Sequence, residues 1–181
     1  MSFGEAIKSV FSKYAVFSGR ARRSEYWYFV LFYFLVSFAL GCIPILSALS
    51  VVWWLAIIIP SIAVSVRRLH DIGKSGWNYL IIALPGVILE GYVFYFIFRV
   101  IKEMKDAGFK FYNIIDNIEA IADRIMLHSS DLHTLGILAI IDLAATILWL
   151  VWFTRDSQPG ENKWGPNPKE QADASFNRNQ L

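Results

Sequence analysis

Four stretches of the chain carry almost no charge, at 26–46, 47–66, 78–98 and 135–153. Each is long enough for a helix to cross a hydrocarbon layer, which takes about 20 apolar residues. A bilayer offers no hydrogen-bond partner to a bare peptide group, so these stretches are predicted to be helices. The first two are separated by GCIPILSALS, an uncharged stretch with a proline that reads as a tight helical hairpin. The pattern predicts an all-α membrane protein with four transmembrane helices.

Ahead of the first span, residues 1–25 combine an amphipathic helix with an arginine-rich approach to the membrane. Ser2 and Glu5 have the spacing of a capping box, in which hydroxyl and carboxylate each satisfy a free N–H at a helix start. Phe3, Ile7, Val10, Phe11 and Tyr14 then recur at steps of three and four, with Lys8, Ser9, Ser12 and Lys13 between them. Two readings fit: a helix lying in the headgroup layer, or one packed on the protein's own cytosolic loops. Residues 99–134 are the other polar piece. Ile114, Ile118, Ile121 and Ile125 mark one helical face there, with Asp116, Asn117, Glu119, Asp123 and Arg124 on the rest. Gly108 is expected to divide this amphipathic insert from an extension of the third span. It reads either as a lid over the helix ends or as a partner contact. Residues 154–181 form a polar, proline-containing tail.

Composition agrees with a lipid environment. Hydrophobic residues make up 56% and charged residues 18%, against about 25% charged in soluble chains. Mean hydropathy is +0.44. A core that fits within 181 residues could not hide so much apolar surface. The net charge of +2 gives no case for nucleic-acid binding. The single cysteine, Cys42, lies in an apolar run. The N-terminal segment lacks the order of a secretory signal peptide, so the first span is expected to be retained.

Basic residues set the expected orientation. Residues 1–25, the turn 67–77 and the tail together hold 12 of the 17 Lys and Arg. Both termini and that turn are therefore expected in the cytoplasm, with the insert outside.

Three motifs stand out from this background: GRARRSEYWYFVLF at 19–32, RRLHDIGKSGW at 67–77, and GENKWGPNP at 160–168. The trio resembles the small bacterial inner-membrane family known as domain of unknown function 805, the YhaH-like proteins. Gly19, Arg20, Arg23, Glu25, Tyr26 and Trp27 match its first motif. Arg67 to Asp71 with Ser75, Gly76 and Trp77 match the second; Gly160, Asn162, Gly165, Pro166 and Pro168 match the third. The resemblance covers the two ends and the first two spans, and residues 99–134 look like an insertion. It implies a multi-pass protein of the bacterial inner (plasma) membrane and no settled activity.

The candidate chemistry is sparse. Arg20, Arg22, Arg23, Arg67, Arg68 and Lys74 are candidates for an anionic-lipid site, since guanidinium groups meet phosphate bidentately. Membrane anchoring alone also accounts for them. In the central turn, Gly73 and Gly76 let the chain reverse, Ser75 lies between them, and Trp77 anchors the next span. Pro60 and Pro85 interrupt both adjoining helices and would open a vestibule lined by Arg67, Arg68, His70, Asp71 and Lys74. His70 and Asp71 read as a proton-handling pair or as a hydrogen-bonded pin for the turn. Trp164 is expected against the membrane surface. His128, Asp131 and His133 are too loose a set to argue a metal site, and no serine or cysteine nucleophile with a base is evident, so no cofactor is implied. Glu90 and Asp142 are the two acidic residues well inside spans, both roughly 17 Å from the cytosolic end. They read as helix-joining hydrogen-bonded acids, or as a site sharing a proton or cation.

These residues point first to a non-enzymatic integral membrane protein that binds other membrane proteins or anionic phospholipid. A proton- or cation-handling transporter or channel, acting as a homo-oligomer, comes second. A lipid-modifying enzyme comes third.

Overall fold

The computed structural model describes residues 1–43, 47–108 and 118–178. The hairpin turn at Pro44, and Ile114, Asp116 and Asn117 of the insert, lie outside the described residues, as do the side chains of Arg124 and Arg178. Every regular element among the described residues is a helix, apart from one isolated bridge between Asn162 and Gly165. The helices are α1 (Phe3–Ser12), α2 (Arg23–Cys42), α3 (Ser47–Asp71), α4 (Tyr79–Asp106), α5 (Ile118–Met126), α6 (Ser129–Thr154) and α7 (Pro168–Arg178). Four of them, α2, α3, α4 and α6, are long and apolar enough to cross a membrane. The chain divides into two compact units, Met1–Tyr79 with Leu150–Leu181, and Leu80–Trp149.

In the first unit, α1 starts at the expected capping box. The Ser2 N–H donates to Glu5 Oε2 at 2.7 Å and the Glu5 N–H donates to Ser2 Oγ at 3.4 Å. The backbone bond from Ser2 holds the Glu5 carboxyl below its ordinary value. Ala6 and Val10 are buried. The rings of Phe3 and Phe11 both meet Phe32, at 6.5 and 6.0 Å, and Phe11 also meets Phe29. Thus α1 lies across the first three turns of α2, and its apolar face packs on that helix rather than on loops.

Pro60 sits inside α3. Proline has no N–H, so the carbonyl four residues earlier, on Ala56, loses its helical donor. The Tyr14 hydroxyl donates to that carbonyl at 2.6 Å. A neighbouring side chain thus replaces the bond that proline removed, as a helix in lipid requires. Trp53 Nε1 joins α3 to α2 through Ser37 Oγ at 3.0 Å.

The second unit has a small core of Phe96, Val100 and Met104 from α4, covered by Ile121 and Ile125 of α5 and Leu135 of α6. Two of the four isoleucines expected on one face of the insert therefore make that contact, while Ile118 is exposed. The third apolar helix continues past position 98 to Asp106, and Gly108 follows with a φ of +80°. Arg99 bridges Glu103 and Asp131 at 3.2 and 2.8 Å, the Tyr92 hydroxyl donates to Asp131 at 2.8 Å, and His128 lies 3.0 Å from Glu103. His133 is exposed and takes no part in this cluster.

Candidate functional site: a buried clasp built from three motifs

The turn RRLHDIGKSGW begins as the last turn of α3. Lys74 N–H donates to the Leu69 carbonyl at 2.9 Å and Gly73 N–H to the His70 carbonyl at 3.1 Å. This is a Schellman stop, and it needs the left-handed φ of +78° that Gly73 adopts. Ser75 Oγ then accepts from Trp77 N–H at 3.4 Å and caps the short 3-10 turn Gly76–Asn78. Gly76 passes so close to α3 that an added Cβ would lie 2.7 Å from Val66 Cγ1. The glycines therefore serve a sharp reversal and a close backbone approach. Trp77 is 79% exposed.

The charges of that turn point inward. Asp71 is wholly buried and accepts three bonds: from Arg20 Nε at 3.0 Å, from an Arg68 terminal nitrogen at 2.5 Å, and from Ser157 Oγ at 2.7 Å. Arg20 continues into the tail, donating to the carbonyls of Gln158 at 2.5 Å, Gly160 at 2.8 Å and Gly165 at 3.2 Å. Gln158 N–H returns a bond to the Asp71 carbonyl at 2.8 Å. Arg20 therefore joins all three motifs: it pairs with Asp71 and holds the carbonyls of Gly160 and Gly165.

Helix α6 ends at the same place. Its last carbonyls lack helical donors, and cationic side chains complement the negative end of its dipole. Arg68 donates to the carbonyls of Phe153 and Arg155, Arg23 donates to Thr154 at 3.3 Å, and Trp27 Nε1 to Phe153 at 3.1 Å. Lys74 Nζ stands 4.3 Å above the Trp152 ring.

His70 lies with its ring against Gly19 and Trp164. Its Nδ1 is 3.1 Å from the Gly19 carbonyl, and its ring stacks on Trp164 at 4.5 Å with 10° between planes. Asn162 Nδ2 donates to the His70 carbonyl at 3.0 Å. Trp164 is thus packed on the turn, where a flat imidazole offers it a stacking partner. Arg67, Arg68, His70 and Asp71 are all buried, the last two under the tail.

Arg67 forms a second, looser pair. It is buried 3.5 Å from Glu25 Oε1, which also accepts from Ser9 Oγ at 3.1 Å. Two terminal nitrogens of Arg67 are buried without a hydrogen-bond partner. Glu25 thereby ties α1 and α3 to α2. The six candidate lipid-binding cations consequently separate. Arg20, Arg67 and Arg68 face protein partners, while Arg22, Arg23 and Lys74 retain exposure. In the second unit, Asp142 is half-buried, with Oδ1 lying 3.2 Å from where a Cβ on Gly86 would be, and Glu90 is exposed.

Sequence reasoning missed Ser157 and Gln158, whose roles depend on the tail folding back. The glycines and prolines of 160–168 were the available signal, since they free backbone carbonyls for outside donors. Beyond that turn, Asn167 caps α7 by accepting from Lys169 N–H at 3.0 Å. The Lys169 ammonium also pairs with Asp156 and holds that carboxyl below its ordinary value.

Comparison with known proteins agrees with this architecture. A family model described as "Protein of unknown function (DUF805)" matches residues 14–166, a span that begins at Tyr14 and takes in the clasp. Inner membrane protein YhaI of Escherichia coli K12 is 40% identical over 82 residues, which are 42% of this chain and 70% of YhaI. Inner membrane protein YhaH of the same organism is 34% identical over 85 residues, again 42% of this chain and 70% of the relative. No solved structure matches. With the family model covering most of its length and four apolar helices in its fold, this chain is an integral membrane protein belonging to the DUF805 family.

Proposed function

We propose that the protein is a non-enzymatic interaction protein of the bacterial inner membrane, binding other membrane proteins or anionic lipid, with both termini in the cytoplasm. The observation that carries this reading is the clasp. Its most reactive-looking residues, His70 and Asp71, are buried against backbone and arginine rather than facing an open cavity. A network of that kind fixes helix ends and leaves the outer faces of the helices to make contacts. Those faces are apolar: the span windows of α4 and α6 are each only 6% buried. The bias of 12 basic residues toward one side supports the orientation.

Photo-crosslinking residues at Phe94 and Ile140, both exposed, test the reading in living cells. Discrete protein adducts at one of the two positions are expected. Lipid adducts alone at both, together with proton or cation flux by the purified protein in liposomes, would refute it.

One observation favours the transporter reading. Glu90 is exposed on α4, whose apolar span window is only 6% buried, and an intramembrane carboxylate is costly unless protein or water surrounds it. An oligomer that encloses Glu90 would supply that setting. Glu90→Gln should then abolish flux while leaving the oligomer intact.

A further inference from the structure

The first unit holds a cleft of about 270 Å³ beside the clasp, open on one side. One wall is the polar face of α1, with Ser9 and Lys13; another is the approach to α2, with Arg22 and Glu25; the third is the tail, with Trp164 and Gln171. The charges around it do not cancel. Glu25 is matched by Arg67 and by the Ser9 hydroxyl, and Arg20 is matched by Asp71. The side chains of Lys13 and Arg22 have no hydrogen-bond or ion-pair partner among the described residues, and Arg22 influences Glu5 only weakly, from beyond ion-pair range. The cleft therefore presents the unpartnered side-chain cations of Lys13 and Arg22, beside the Met1 ammonium that also lines it, to whatever enters.

Its position selects the ligand. The helix that forms its first wall lies across the first three turns of α2, where the apolar span begins, and exposes Phe3 and Phe11. Val16 and Phe17, just beyond α1, are exposed as well. An amphipathic helix of this kind sits at the boundary of headgroups and acyl chains. A phosphate arriving there brings its chains alongside those exposed side chains, whereas a soluble phosphate gains nothing from them. We infer that this cleft binds the phosphodiester headgroup of an anionic phospholipid, with Lys13 and Arg22 as its cationic contacts. The inference rests on the anionic-lipid arm of the proposed function and names its site, which keeps Arg22 of the six candidate cations and adds Lys13.

The test uses the full chain in phosphatidylcholine nanodiscs containing a minor fraction of phosphatidylglycerol. Native mass spectrometry then measures the anionic lipid retained after release. Lys13→Gln and Arg22→Gln should each lower retention roughly fivefold, as expected for one charge removed near an anionic surface. Lys8→Gln, which removes the same charge from the same helix outside the cleft, should leave retention unchanged. Circular dichroism and elution volume establish that each variant folds, and neither target side chain has a partner to lose. Equal losses in all three variants would overturn the cleft in favour of general surface charge. So would unchanged retention in Lys13→Gln and Arg22→Gln, although the wider interaction reading would survive that result. Displacement of the lipid by inorganic phosphate would overturn the headgroup assignment and make the ligand soluble. No preference for phosphatidylglycerol in the unsubstituted chain would remove the cleft and the lipid arm together.

Discussion

Replacing Tyr14 with Phe deletes one oxygen and leaves the Ala56 carbonyl without a donor. The hydroxyl stands 2.6 Å from that carbonyl, and Pro60 cannot supply the helical N–H that would otherwise be there. A polar group left unpaired away from water costs about 1–3 kcal/mol. Hydrogen bonds between helices in membrane proteins are measured lower, averaging about 0.6 and reaching about 1.7 kcal/mol. The Ala56 carbonyl belongs to an apolar span, where water does not replace a lost donor, which places it toward the upper end, so a loss of about 1–2 kcal/mol is expected. The origin of that loss is separable from packing. In a Pro60→Ala background residue 60 regains its N–H, the helix satisfies Ala56 internally, and Tyr14→Phe should cost close to nothing. Equilibrium unfolding of the four proteins in mixed micelles, with detergent composition as the denaturing variable, yields the coupling energy directly. An equal cost for Tyr14→Phe in both backgrounds would refute the reasoning and show that the ring, not the hydroxyl, matters.

Asp71→Asn keeps the shape of the clasp's centre and removes its charge, leaving Arg20 and Arg68 buried without a counterion. Breaking such a pair costs about 3–5 kcal/mol, so the tail around 156–168 should become cleavable by protease at least 100-fold faster, since about 1.4 kcal/mol is tenfold; unchanged protection would sink the clasp as the tail's anchor. The proposed orientation predicts that, in a Cys42→Ser background, a cysteine at Ser129 labels from outside intact cells and one at Ser75 does not. External labelling at Ser75 would reverse it.

Much of the fold was legible in the chain because lipid makes the problem one-dimensional. Backbone groups in hydrocarbon must pair within their own segment, so uncharged runs of sufficient length are helices whatever surrounds them. The capping box at Ser2 and the reversal at Gly73 were legible for a similar reason: both are closed by bonds between residues no more than five apart. The partners of the arginines were not. Asp71 lies 51 residues from Arg20 and 86 from Ser157, and nothing local distinguishes a guanidinium that will meet phosphate from one that will cap a distant helix. The same holds for Tyr14, whose hydroxyl answers a proline that is remote in sequence. Pro60 announced a missing hydrogen bond, and only the packing of α1 on α2 and α3 decided which side chain would replace it.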